Sequence, residues 1–185
     1  MSLGRAATAA LLITVAALGA CGGGGTSVPK NIRAVGRVSG SDAFVAVAKY
    51  GDGVDAYVCD GKAVAETFAG NARGGRIDLR SDDGGRLLAT VAKGRVTGSF
   101  TAARAAPLAF TAEAAKRPAG LYRAQVQAGG RTLTAGWVLL PGGEQRGVVR
   151  SGTTLMPAPN LDGTSNVVTI AGQTVMARLI DESNP

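Results

Sequence analysis

The fold of this chain is decided by the stretch RLLATVAKGRVTGSFTA, residues 86–102. In its second half Val96, Gly98 and Phe100 fall on one face, and polar side chains stand between them. This period of two is typical of a β-strand with one buried face. Lys93-Gly94 separates the two halves, and glycine supplies the positive φ that a two-residue turn needs. The stretch therefore predicts an antiparallel β-hairpin.

The same pattern continues on both sides of this hairpin. Phe44–Tyr50 and Val54–Cys59 flank Gly51-Asp52-Gly53 and predict a second hairpin. Short strands separated by Gly, Asp and Pro turns, with no sustained helical period, favour an antiparallel barrel or sandwich. We expect an all-β fold, a meander that forms a single small barrel or sandwich of about 8 to 12 short strands. Further candidate strands are 32–39, 64–68, 76–80, 108–112, 121–128, 131–140, 145–150, 167–170 and 174–180.

The first 21 residues have the composition of an export signal. Arg5 is followed by an apolar run of 15 residues, Ala6 to Ala20, which is shorter than the roughly 20 residues that span a bilayer as a helix. The run ends in Leu18-Gly19-Ala20-Cys21, and this tetrad resembles the lipobox of bacterial lipoproteins. The resemblance implies that Cys21 receives acyl chains and anchors the protein to a membrane. An ordinary signal peptide with a coincidental cysteine is the alternative.

The resemblance also implies a division of the chain. Residues 1–20 are then a lipoprotein signal peptide that is removed, and residues 21–31 are the lipidated cysteine with a flexible Gly/Ser tether. Residues 32–185 remain for a single all-β domain. The expected location is the extracytoplasmic side of the cell envelope. Because Gly22 is not the Asp associated with inner-membrane retention, the outer membrane is expected where a bacterium has two membranes.

Charge and composition narrow the partners. Once residues 1–20 are removed, 19 basic residues face 13 acidic ones. A basic surface outside the cytoplasm meets anionic lipid headgroups and envelope polyanions, and the few aromatic residues do not form a stacking platform, so no nucleic acid is expected. The chain contains no histidine, which excludes Ser-His-Asp and Cys-His catalysis and histidine-ligated zinc. Neither a metal nor another cofactor is expected.

Two sets of residues are candidates for binding, each with a structural alternative. Tyr57, Tyr122 and Trp137 are expected to line a ligand cavity in a barrel mouth, or else to be core residues with a satisfied polar tip. Arginines four positions apart project from one face of a strand and could grip a polyanion, or else they protect exposed strands from edge pairing. The arginine candidates are Arg33, Arg37, Arg146 and Arg150.

Cys59 has no intramolecular partner if Cys21 is lipidated. It shares a strand face with Tyr57, and a buried small apolar role is expected, with a reactive thiol or an intermolecular disulfide as the alternative. Two segments of the body, Ala56–Gly61 and Ala119–Arg123, loosely resemble stretches of small exported bacterial proteins of unknown function. That likeness supports export and a β fold and identifies no functional residue.

The sequence thus predicts a lipid-anchored protein that acts in the cell envelope by binding or interaction and is not an enzyme. Its candidate partners are an envelope polyanion and a partner protein. The alternatives are a cell-wall hydrolase that uses two converging carboxylates, and a purely structural envelope protein. For the hydrolase, the candidate acids Glu66, Asp78, Glu113 and Glu144 are all expected at solvent-facing or turn positions.

Overall fold

The computed structural model describes residues 28–181, and this part of the chain consists of β-strands, turns and loops without a helix. The predicted all-β class is confirmed. The described residues form fifteen strands, more than the 8 to 12 expected. These are β1 (Asn31–Val38), β2 (Phe44–Tyr50), β3 (Gly53–Cys59), β4 (Ala65–Asn71), β5 (Arg76–Arg80), β6 (Arg86–Ala92), β7 (Arg95–Thr101), β8 (Leu108–Ala114), β9 (Gly120–Ala128), β10 (Arg131–Leu139), β11 (Gln145–Ser151), β12 (Thr154–Pro157), β13 (Val167–Ile170), β14 (Gln173–Met176) and β15 (Arg178–Leu179).

Strands β1 to β8 form one antiparallel sheet that curls into a nearly closed barrel. Its order is β4-β3-β2-β1-β8-β7-β6-β5, so each strand except at the step from β4 to β5 pairs with its neighbour in sequence, and β1 also pairs with β8. The seam lies between β4 and β5. There the Leu79 side chain packs against Gly70, and Arg73 and Arg76 exchange two backbone hydrogen bonds of 2.9 Å. The Ser81 hydroxyl donates to Glu66 across the same seam.

Alternate residues of the eight strands fill the barrel interior. The predicted face of Val96 and Phe100 points inward, and the Phe100 ring meets Phe68 edge-on, with ring centroids 6.2 Å apart. Gly36 also points inward, where an added Cβ would lie 2.0 Å from the backbone oxygen of Thr111. Glycine is required there because the strands of a tightly curled barrel approach each other closely.

A second sheet covers the outer face of β1 to β3. Its order is β12-β11-β10-β9-β15, and its Leu121, Val138 and Val148 pack against Phe44 and Ala46 of the barrel. The opposite face of this sheet is covered by the β13–β14 hairpin and the segments around it. The described residues therefore form three packed layers, namely the barrel, the second sheet and the hairpin.

Most strand boundaries agree with the sequence pattern, although β4 and β8 run on to Asn71 and Ala114, beyond the predicted ends at 68 and 112. Two further differences concern whole elements. β12 was not expected, because Thr154–Pro157 does not alternate and ends in a proline, which suits only the edge of a sheet. The predicted strand 174–180 divides at Ala177, whose amide bonds to the Asn166 carbonyl at 2.8 Å. Its first part pairs in the hairpin and its second part pairs with β9 of the second sheet.

Candidate functional site: the basic end of the barrel

The barrel has two ends that differ in charge. At one end, here called the entry end, the described chain begins, and the turns there span 28–30, 51–52, 72–75, 93–94 and 115–119. These turns carry five exposed basic side chains and one acid, Asp52. The basic residues of the entry end are Lys30, Arg73, Lys93, Lys116 and Arg117.

At the opposite end, here called the far end, the loops span 39–43, 60–64, 81–85 and 102–107. They carry four acids, Asp42, Asp60, Asp82 and Asp83, against two basic residues. The barrel is thus electrically polar along its axis, and the entry end is the side that attracts anions.

The beginning of the described chain is fixed at the entry end by a buried lysine. Lys49 is 6% exposed, and its ammonium donates to the carbonyls of Pro29 at 3.2 Å and Lys30 at 3.1 Å, and to that of Gly51. Three carbonyl acceptors match the three donors of an ammonium group. The contact holds the incoming segment against the turn between β2 and β3.

The four predicted polyanion-binding arginines lie at the boundary between the barrel and the second sheet. Arg33 of β1 pairs with Asp181 at 3.3 Å, and Arg37 of the same strand pairs with Glu144. From the second sheet, Arg150 pairs with Asp83 at 2.6 Å and also donates to the Ala65 carbonyl at 2.7 Å. These three guanidinium groups connect the two layers, which is a contact that sequence spacing does not show.

Arg146 differs from the other three. Its guanidinium donates to the backbone oxygens of Asp42 and Gln145 and lies 4.7 Å from the centre of the Phe44 ring. Arg37 lies at the same distance from that ring, so the structure brings these two of the four arginines together on one aromatic side chain. Burial of Phe44 between the layers strengthens such cation–π contacts.

The three aromatic candidates are buried outside the barrel interior. Tyr57 lies between the barrel and the second sheet, where its ring occupies the space above Gly136. Tyr122 and Trp137 lie on the opposite face of that sheet. The Tyr122 hydroxyl donates to the Pro118 carbonyl at 2.7 Å, and the Trp137 indole donates to the Pro159 carbonyl at 2.9 Å.

Trp137 and Arg146 share a surface cleft of about 250 Å³. Asp42, Asp60 and Lys62 of the far end line the same cleft. This cleft therefore brings together one of the predicted ligand-binding aromatic residues and one of the predicted polyanion-binding arginines. The acids around the opening make this cleft a poorer anion site than the entry end.

Cys59 is fully buried among the described residues, as expected for a small core side chain. Its sulfur accepts a hydrogen bond from the Gly61 amide at 3.3 Å. Burial raises the pKa of the thiol to about 11, although the Gly61 amide acts in the opposite direction. A thiol with this pKa is neutral at physiological pH and therefore a weak nucleophile.

One expectation about the acids was wrong. Glu66 is 7% exposed and not solvent-facing, because its place in β4 puts it on the same inward face as Phe68, two positions on. Asp55, a second buried acid, lies on the outer face of β3 and pairs with Arg123 at 3.3 Å. Arg123 was not among the predicted site residues, because the alternating pattern of β9 gives no information about its partner.

Two kinds of structural feature are absent from residues 28–181. No group of three or more Cys, Asp or Glu side chains there is arranged to hold a metal ion. That part of the chain also contains no helix long and apolar enough to cross a membrane. Residues 1–27, with the lipobox tetrad and Cys21, lie outside the described residues. Comparison of the chain with known protein families, curated proteins and solved structures finds no match.

Proposed function

We propose that the protein is a lipid-anchored module of the cell envelope that acts by binding, with its entry end turned toward an anionic surface. The anchor is Cys21, and the location is the extracytoplasmic face of a membrane, the outer one in a bacterium with two. The proposal rests on one observation: the basic end of the barrel is also the end at which the described chain begins.

Chain length limits how far the entry end can stand from the anchor. Seven peptide units separate Cys21 from Val28, and a fully extended chain covers at most about 25 Å over that distance. Lys49 holds Pro29 and Lys30 against the barrel, so these two residues add nothing to the distance that the segment can span. The lipid at Cys21 therefore keeps the basic turns near the bilayer and not the acidic far end.

Electrostatics then favour one orientation. Each Lys or Arg near an anionic lipid surface contributes about 1 kcal/mol of attraction, which falls off within a Debye length of about 8–10 Å. The five basic side chains of the entry end are exposed, and one of them, Arg117, also pairs with Asp181 at 3.0 Å. Lipid headgroups and envelope polyanions present the same negative charge to them, and a partner protein remains free to use the far end.

Binding is better supported than catalysis. The hydrolase alternative needs two acids that converge in a cleft. The two buried acids of β3 and β4, Asp55 and Glu66, face opposite sides of the sheet and cannot form such a pair. Asp55 is already occupied by Arg123 and by the Tyr50 hydroxyl.

The anchor is tested by Cys21→Ser. We expect this variant to leave the membrane fraction, because the serine hydroxyl does not accept the lipid. Cell fractionation with detection of the protein measures the effect, and Cys59→Ser is the matched control that leaves Cys21 in place. A Cys21→Ser protein that stayed fully membrane-bound would contradict the anchor.

The orientation is tested separately with residues 22–185, which lack the lipid. We expect K30E/K93E/K116E to bind phosphatidylglycerol vesicles at least about 10-fold more weakly than the parent, since three attractive charges become repulsive. Vesicle co-sedimentation at several salt concentrations measures this. The variant R80E/R104E/R131E changes the net charge equally at sites away from the entry end and should bind more tightly than K30E/K93E/K116E. Equal binding by the two triple variants would contradict the proposed orientation.

A further inference from the structure

A second basic feature lies on the second sheet. Arg123 of β9 and Arg178 of β15 are directly opposite each other in the ladder between these strands. Both line an open cleft of about 600 Å³, which is within the usual size range of small-molecule sites. Gln125 and Thr134 lie along the same cleft and add an amide and a hydroxyl.

The charge of this arginine pair is only partly balanced. Like charges directly opposite on neighbouring strands are unfavourable unless something neutralises them. Arg123 donates to Asp55 at 3.3 Å, and this carboxylate is nearly buried and also accepts the Tyr50 hydroxyl. Arg178 is exposed, and among residues 28–181 no carboxylate lies within ion-pair distance of it. An anion between the two guanidinium groups would remove the repulsion.

The remaining walls of the cleft are apolar. Ala124 and Ile180, both buried, and Met176, which is 68% exposed, complete its lining. A flexible thioether adapts to apolar groups of different shape. The cleft thus offers two guanidinium groups next to an apolar surface, a combination suited to a ligand that has an anionic head and a short apolar part.

We propose that this cleft binds a phosphate monoester with a short alkyl chain, with the phosphate between Arg123 and Arg178 and the chain against Met176 and Ile180. Guanidinium groups match phosphate oxygens through paired hydrogen bonds, and the phosphate also meets the positive charge that Asp55 leaves unbalanced. This inference goes beyond the proposed function, and it does not depend on how the barrel is oriented.

The test uses the full chain held in phosphatidylcholine nanodiscs, with hexyl phosphate as the probe and isothermal titration calorimetry as the measurement. Empty nanodiscs correct for partitioning of the probe into lipid. We expect saturable binding at one site per chain, and binding of inorganic phosphate at least about 10-fold weaker, because it lacks the apolar contacts. Since the disc contains no anionic lipid, the free ester is the only source of this head group.

Two exposed arginines supply the matched variants. Arg178→Gln removes the guanidinium from the cleft and should weaken hexyl phosphate binding at least about 10-fold, whereas Arg131→Gln removes the same charge elsewhere on the sheet and should leave it unchanged. Arg178→Lys, which keeps the charge but not the planar fork, should give an intermediate affinity. Equal binding by Arg178→Gln and the parent would overturn the site, and equal affinity for inorganic and hexyl phosphate would overturn the alkyl-ester ligand. Neither result would bear on membrane release by Cys21→Ser.

Discussion

The two halves of the barrel bury their inward faces with different sequence patterns. In the covered half the second sheet also packs on the outer face of the strands, and in the open half that face meets solvent. In β2 of the covered half, every residue from Phe44 to Lys49 is buried, because one face meets the barrel interior and the other meets the second sheet. In β5 to β7, of the open half, inward residues such as Ile77 and Val91 alternate with solvent-facing ones such as Asp78 and Thr90. A continuous apolar run therefore marks a strand covered on both sides, and strict alternation marks a strand covered on one.

The polar contacts differ in the same way. In the covered half, Arg33, Arg123 and Arg150 pair with acids of a different layer. In the open half, Arg86 pairs with Asp78 and Arg95 with Glu113, which lie on adjacent strands of one sheet. These three ion pairs of the covered half thus connect layers, whereas the two pairs of the open half lie on the surface of one sheet. Partly buried pairs of the first kind contribute more to stability than exposed pairs of the second.

Removal of the Phe44 ring should give the largest effect. Phe44 is 1% exposed and contacts both Arg37 and Arg146, so Phe44→Ala loses buried area and two cation–π contacts. We expect the free energy of unfolding to fall by about 3–5 kcal/mol, measured by urea denaturation. Leu88→Ala in the open half, where the side chain is 37% exposed, should cost less than about 1 kcal/mol. Similar losses for both would show that the second sheet does not cover β2 in solution.

Thiol labelling provides the next contrast. Cys59 of the covered half is buried, and burial raises its pKa to about 11, so the thiol is neutral at pH 8. Thr97 lies on the solvent-facing side of the open half. With a maleimide at pH 8, T97C should be modified at position 97 at least about 100-fold faster than Cys59, because labelling of Cys59 requires opening of the structure. Mass spectrometry of the peptides measures both rates, and rapid labelling of Cys59 in the folded protein would contradict its burial.

Asp55→Asn should have a smaller but clear effect. The change removes the charged partner of Arg123 and of the Tyr50 hydroxyl, and we expect a loss of about 2 kcal/mol in urea denaturation. The pKa of Tyr50 is raised to about 12, chiefly by burial and then by Asp55. Loss of the carboxylate should lower that pKa, which absorbance titration of the tyrosinate measures. Glu113→Gln is the control in the open half, and an unchanged Tyr50 titration in Asp55→Asn would show that the pair does not form.

Local pattern was sufficient to predict most of the fold. Turns such as Lys93-Gly94 and the alternation around Val96 and Phe100 depend on neighbouring residues, and so the strands from β5 to β7 agree with expectation to within one residue. The closure of β1 on β8, and the cover over β2, depend on residues far apart in sequence. Glu66 is an example of what local pattern misses, since its charge predicted exposure but its surroundings in the fold bury it.

The candidate site was predictable in part. The count of basic residues pointed to an anionic partner, but their distribution between the two ends depends on which turns the topology places together. The partners of Arg33, Arg37 and Arg150 come from distant parts of the chain. The spacing of residues along one strand therefore does not predict these partners. The same holds for Arg123 and Arg178, which meet only because β15 returns to pair with β9.

The smallest effect is expected for Asp78→Asn in the open half. Arg86 donates to both carboxylate oxygens of Asp78, at 2.8 and 3.0 Å, and this hydrogen bonding lowers the pKa of the acid. A lowered pKa adds stability above the ordinary pKa of the group, and this contribution is lost as the pH falls below it. Because the pair is exposed to water, however, solvent and salt screen it. We expect the urea midpoints of Asp78→Asn and the parent to agree at pH 7 in 0.5 M salt and to differ by little more at low salt. A loss as large as that of Asp55→Asn would mean that ion pairs on the uncovered surface stabilise the barrel as strongly as those between its layers, and the contrast between the two halves would then lie in their apolar packing alone.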